Sequence, residues 1–232
     1  MPRLARVVAV GSAHHITQRG NNRQDVFFVN DDRRVYLELL KEHADRYGID
    51  VIGYCLMGNH VHIVAIPNAE DSLATAIGRT HFRYTQYINR FHRRIGHLWQ
   101  GRFYSCALDE RHFWLAMKYL ELNPVRAAVC RKAWRYEWSS AAAHVDDRPR
   151  SDLLNLSWWY GTISAGQWRK ELADGLTDSE LRRLRINTHT GRPLGSDSFL
   201  SKVETLLGRR VRALPVGRPK ERKHLKSQTK RI

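Results

Sequence analysis

The chain has few cysteines, fewer acids than bases, and no long apolar run. Its three cysteines, Cys55, Cys106 and Cys130, form no CxxC pair and cannot all bridge one another. That excludes a disulfide-dense scaffold and reads as small buried side chains in a reducing, cytoplasmic setting. No stretch of about 18 apolar residues occurs, so no membrane span is expected. The N-terminus, Met1 to Val10, has basic residues but neither an extended apolar region nor a cleavage pattern, so no signal or transit peptide is expected. There is no internal repeat and no GxxxxGK phosphate loop. Acids number 23 against 39 Lys and Arg, a net charge of +16. An excess of that size calls for a polyanionic partner, nucleic acid first.

What is present can bury a core. The 232 residues are 42% hydrophobic and include seven Trp, nine Tyr and seven Phe, which excludes wholesale disorder. The length suits one mixed domain with an appendage, or two small domains. Val7 to Thr17 reads as a strand running into the polar stretch Gln18 to Arg23. Asp31 to Tyr47 has Val35, Leu39, Leu40 and Ala44 at helical spacing, with Asp31 or Asp32 as cap and Gly48 just past the end. Val51 to Met57 and Val61 to Ile66, joined by Gly58-Asn59, read as a hairpin. Ser72 to Arg94 reads as a long helix, Phe103 to Leu108 as a strand, and Asp109 as the cap of a helix through Tyr119. The order β-α-β-β-α-β followed by an extra helix is ferredoxin-like α+β. It predicts an antiparallel sheet, helices on one face, and the third strand in the interior.

His60 and His62 flank Val61 in a strand, so both imidazoles share a face, with Cα atoms roughly 7 Å apart at about 3.3 Å per residue. Two such rings can share one cation, or simply be two satisfied sheet histidines. Tyr119 and Asn123 stand four apart on one helical face, with His112 and Arg126 near it. They can project together into a site, or merely pack against one another.

Several motifs together resemble one family. Cys-Leu-Met-Gly-Asn-His-Val-His, ending at His62, is similar to the HUH motif of single-strand tyrosine transposases. Thr17 to Gln24 resembles that family's first-strand signature, His97 to Phe103 its central loop, and Tyr119 to Ala127 the segment that carries its nucleophile. The set spans residues 15 to 128 in the family's order, and within the family it looks most like the REP-associated tyrosine transposases. The resemblance implies a divalent cation, Mg²⁺ or Mn²⁺, held by His60 and His62 with Asn123 as a further ligand. It also implies Tyr119 as nucleophile, and single-stranded or hairpin DNA, at palindromic repeats, as substrate. The implied chemistry is strand cleavage and transfer through a 5′-phosphotyrosine. The alternative is a non-catalytic DNA-binding regulator on the same scaffold. An RNA-binding protein using β-sheet stacking is a third class, but its recognition-sheet motif is absent.

Basic residues supply candidate DNA contacts. Arg79, Arg83, Arg90 and Arg94 recur along one helix as a basic stripe, which is either a phosphate-contacting surface or a solvated face. Asn21, Asn22 and Arg23 form a polar loop, and Trp99 with Arg102 offers a stacking face and a charge, unless Trp99 is a core residue. Arg126 lies within the segment that resembles the nucleophile-carrying one. Residues 1–130 are expected to form the catalytic domain, 131–208 a Trp-rich and helical extension wrapping it, and 209–232 a basic tail that is disordered when free. That tail holds ten Lys or Arg and one acid, so it carries +9. Arg209, Arg210, Arg218 and Lys220 are its candidate DNA contacts. Gly217-Arg218-Pro219 resembles an AT-hook for a narrow minor groove, or is part of a generic polybasic tail that adds salt-sensitive affinity. A nucleoid-associated location and no membrane partner are expected, and a homodimer is left open.

Overall fold

The computed structural model describes residues 5–146 and 151–213. Four strands form one antiparallel sheet: β1 (His14–Arg19), β2 (Ile49–Met57), β3 (His60–Pro67) and β4 (Tyr104–Ala107), in the order β2-β3-β1-β4. β3 is interior, as the ferredoxin-like order requires. Helices α1 (Asn30–Tyr47) and α2 (Ser72–Phe91) cover one face. Alternation along the strands sends Ile16, Val61, Ile63 and Ala65 into the core they close, against Leu40, Ala44, Leu73, Ile77, Tyr84 and Ile88.

The opposite face, to which Val64 and Cys106 point, is covered by α3 (Glu110–Glu121) through Phe113, Ala116, Met117 and Leu120. The Asp109 side chain caps this helix by accepting from the His112 backbone N–H. Gly53 of β2 lets α3 lie close, because a Cβ there would stand 2.4 Å from Met117 Cε. The chain breaks helical continuity at Leu122 and continues as the single turn α4 (Asn123–Arg126).

Many residues beyond 130 join this second core. The helices are α5 (Ala141–Val145), α6 (Leu156–Thr162), α7 (Ala165–Asp174), α8 (Asp178–Thr190) and α9 (Asp197–Leu207). Trp159, Trp168, Leu172 and Leu184 are buried with the α3 side chains. The same segment covers both sheet edges. Leu56 N–H donates to Trp138 O at 2.9 Å along β2, and Leu194 N–H donates to Ala107 O at 2.8 Å along β4.

Some expected boundaries move. The first strand begins at His14, not Val7, because Gly11 turns the chain at φ 75°. Val7 and Ala9 instead pack in a small cluster with Val203 and Val211. α1 starts after Val29, and Asp32 serves from inside its first turn by accepting from the Phe28 and Val29 N–H groups. α2 stops at Phe91, followed by Arg93 at φ 50°. The sequence predicts a short helix over Asp178 to Arg185, but α8 runs on to Thr190, ending at Gly191 in the left-handed region. Among the described residues no helix is long and apolar enough to cross a membrane.

Candidate active site

The site lies on the sheet face that α3 covers. β3 presents His60 and His62 there, their ring centroids 5.0 Å apart and nearly perpendicular. α3 brings Tyr119, whose ring meets His62 edge-to-face at 5.3 Å. The break at Leu122 swings Asn123 toward the same place, so that its Nδ2 lies 3.5 Å from His60 Nε2. The four residues named from the sequence therefore converge. His112 does not join them. It is held at the other end of α3 by Asp109, Nδ1 to Oδ1 at 2.6 Å.

The ring nitrogens are individually committed. His60 Nδ1 donates to Asn59 Oδ1 at 2.6 Å, which leaves Nε2 as the lone-pair nitrogen. His62 Nδ1 lies 3.0 Å from His15 Nε2, and His15 Nδ1 lies 2.8 Å from Thr188 Oγ1. No described residue hydrogen-bonds to His62 Nε2. Burial pushes the His60 imidazole down to about 4, with Arg19 adding to the effect. Burial is also the main reason His62 lies well below its ordinary value, helped by His60, His15, Arg19 and Arg126. Both rings are neutral at physiological pH, the form that binds metal.

This donor set fits a divalent cation: two neutral imidazoles, each able to offer an Nε2 lone pair in the right tautomer, and an adjacent amide. Turned about its last torsion, the Asn123 amide presents oxygen instead of nitrogen. Among the described residues no group of three or more His, Cys, Asp or Glu could hold a metal. A cation here would take its remaining ligands from water and a substrate oxygen.

Two guanidinium groups flank Tyr119. Arg126 of α4 has its Cζ 4.9 Å from the ring centroid, and Arg185 of α8 has its Cζ at 5.8 Å. The Asn21–Arg23 turn borders the site. Asn59 Nδ2 donates to Arg23 O at 3.1 Å, so the residue that holds His60 is itself held by this turn. Asn22 and Arg23 adopt φ of 50° and 61°, conformations that side-chain-bearing residues seldom take.

Other expected contacts lie elsewhere. Arg79, Arg83 and Arg90 are exposed on α2, on the opposite side of the sheet from Tyr119. Arg94 is half-buried and donates to Gln24 Oε1 at 2.6 Å. Arg102 is exposed in the loop before β4. Trp99 offers no stacking face, because it is buried among Tyr36, His81 and Tyr84. Arg209 donates to Ala5 O and Arg6 O at 2.9 and 3.0 Å, and Arg210 to Ala213 O at 3.3 Å. Arg218, Lys220 and the AT-hook-like segment lie outside the described residues. His15, Thr188 and Arg185 had not been picked out. His15 sits in the Val7–Thr17 run, which reads only as a strand, and no local pattern marks the other two.

Residues 9–123 match the model of the IS200-like transposases. With the fold and the site geometry, this places the chain in that family of DNA transposases. Two solved structures are similar. One is described as a REP-associated tyrosine transposase bound to a REP hairpin, at 15% identity and a TM-score of 0.55, covering 67% of this chain and 94% of that one. The other is a transposase-like protein from Deinococcus radiodurans, at 16% identity and a TM-score of 0.36, covering 55% of this chain and 92% of that one. The first likeness concerns the fold, and the second adds no argument. No curated protein matches the chain.

Proposed function

We propose that the chain is a metal-dependent endonuclease and strand transferase for single-stranded DNA, with Tyr119 as its nucleophile. The observation that carries this reading is the convergence of His60, His62, Asn123 and Tyr119 from β3, α4 and α3 on one sheet face. The Tyr119 oxygen attacks phosphorus, the P–O3′ bond breaks, and the departing oxygen takes up a proton as a free 3′-hydroxyl. The product is a 5′-phosphotyrosine that keeps the phosphodiester's energy, so another 3′-hydroxyl can reverse the step and join strands. Mg²⁺ or Mn²⁺ bound by His60, His62 and Asn123 would supply charge stabilisation at a non-bridging phosphate oxygen and fix the phosphate in line. Arg126 and Arg185 place positive charge at the tyrosine, where the phosphate must enter. Asn59, braced by the Asn21–Arg23 turn, holds His60 in the tautomer that opens Nε2.

The substrate class follows from the site and from the similar structure with its REP hairpin. Tyr119 and the phosphate ligands must approach one phosphate from opposite sides, which favours a strand free to bend. Opening a duplex costs on the order of 1.4 kcal/mol per base-pair step, and the chain has no nucleotide-hydrolysing motif to drive it. One sequence offered as a free strand, a hairpin with a single-stranded flank, and a full duplex tests this with Mn²⁺. The first two should yield a covalent protein–DNA band, and the duplex should not. Tyr119→Phe should still bind DNA and form no band, and EDTA should abolish the band in the unmodified protein. A band persisting in Tyr119→Phe would remove Tyr119 from its role, and EDTA-insensitive cleavage would remove the metal.

A further inference from the structure

His15 is 2% exposed and has no part in the steps above, yet it bridges two groups that matter. Its Nε2 lies 3.0 Å from His62 Nδ1 and its Nδ1 lies 2.8 Å from Thr188 Oγ1. The two imidazole planes differ by only 5°. The three side chains form one hydrogen-bonded row ending at the metal-facing side of His62.

A neutral imidazole carries a single N–H. For His62 to offer the Nε2 lone pair to a cation, its proton must sit on Nδ1. That proton then points at His15 Nε2, which must be bare, so the His15 proton sits on Nδ1 and is donated to Thr188 Oγ1. The row can also run the other way. Thr188 then donates to His15, His15 donates to His62, and the His62 proton occupies Nε2, where a cation would need a lone pair. The distances allow both directions, but only the first binds metal.

We propose that His15 and Thr188 are positioning residues that hold His62 in its metal-binding tautomer, an inference that rests on the metal site proposed above. Outer partners of this kind fix the ring orientation and raise ligand basicity. Thr188 lies on α8, beyond the matched residues 9–123. The extension therefore completes the site as well as packing on it. Arg185, one turn earlier on the same helix, reaches Tyr119 independently.

The test is calorimetric titration of Mn²⁺ into the metal-free, full-length protein and into His62→Ala, Thr188→Val and Thr188→Ser, with melting midpoints taken without metal. Valine keeps the shape of threonine and removes the acceptor. Thr188→Val should bind Mn²⁺ about 10- to 100-fold more weakly, and Thr188→Ser should restore affinity. A merely structural role would lower the melting midpoint of Thr188→Val and leave the affinity unchanged. If the unmodified protein binds Mn²⁺, His62→Ala does not, and Thr188→Val binds like the unmodified protein, this inference falls and the metal site stands. If the unmodified protein binds no Mn²⁺, or His62→Ala binds equally well, the metal site itself falls and takes this inference with it. A second measurement needs no substitution. Long-range ¹H–¹⁵N spectra of the unmodified protein with saturating Mg²⁺ should place the His15 proton on Nδ1, and a proton on Nε2 would overturn the relay.

Discussion

Histidine protonation sets how this molecule responds to acid, because burial keeps several rings neutral. His14 is held at about 4 and His81 at about 3, in both cases chiefly by desolvation. Each is structural: His14 Nε2 accepts from the Ala9 N–H at 3.2 Å, and His81 Nε2 is paired with Tyr36 Oη at 2.9 Å. In the unfolded chain these rings protonate near their ordinary value of about 6.5. Between that value and the depressed folded ones the unfolded state binds more protons, so stability falls as pH falls. The loss is roughly 1.4 kcal/mol per pH unit for each ring. Denaturant midpoints should hold above pH 7 and drop steeply from pH 6.5 toward 4, and equal midpoints at pH 7.5 and 5.5 would contradict this. At this scale the sequence was partly legible. His60 and His62 could be placed on one face because strand alternation needs no partner. His14 and His15 are adjacent and face opposite ways, so only the β1–β3 register, with Thr17 beside His62, selects His15 for the site. Trp99 could be read as a stacking face or as core for a related reason, and packing with Tyr36, His81 and Tyr84 selects the second.

Among the elements, α3 carries Tyr119, the proposed nucleophile, and is fixed by a group the sequence did not mark. Glu121 is fully buried between Tyr119 and Asn123 in the chain. Its Oε1 accepts from Ser140 Oγ at 2.6 Å and pairs with His144 Nδ1, and its Oε2 accepts from Trp168 Nε1 at 2.7 Å. One carboxylate thus ties α3 to α5, α7 and the turn before α5. Replacing it with an apolar residue leaves the buried His144 Nδ1 and Trp168 Nε1 donors without a partner, each costing about 1–3 kcal/mol, while Ser140 Oγ keeps Tyr54 O at 3.3 Å. Glu121→Ala should lose about 3 kcal/mol or more in denaturant unfolding, and an unfolding midpoint matching that of the unmodified protein would refute the tie. Tyr119 and Asn123 were legible as a pair because four residues make a helical turn. The use of the Glu between them was not, because it depends on what residues beyond 130 place against α3. Those residues read as a loosely wrapping extension, since short helices with few apolar positions give weak periodicity. They acquire helical order by completing the second core through Trp159, Trp168 and Leu184.

For the whole molecule, charge divides the chain differently from packing. A cut at residue 209 suits the charge pattern, but the folded body continues past it. Val211 is 4% exposed in the cluster with Val7, Ala9 and Val203, and Arg209 ties to the backbone of Ala5 and Arg6. Arg212 pairs with Glu204 and donates to Asp197 O at 2.8 Å. Packing of this kind is invisible to composition, which sees only a run of cations. Residues 214–232 hold seven Lys or Arg and one Glu, a net +6, so a chain ending at 213 keeps +10 of the +16. Removing 214–232 should therefore leave the melting midpoint within error and preserve cleavage of a hairpin with a single-stranded flank. Removing 209–232 should lower the midpoint, because Val211 and the Arg209 and Arg212 contacts go with it. Both truncations should bind DNA more weakly, with a shallower dependence of log affinity on log salt, by up to about 0.9 per lost duplex phosphate contact or about 0.7 on single strands. Equal midpoints for the two truncations would place the edge of the fold before residue 209. An unchanged salt slope in the shorter deletion would mean that the last 19 residues neutralise no phosphate, and that DNA is held by the body alone.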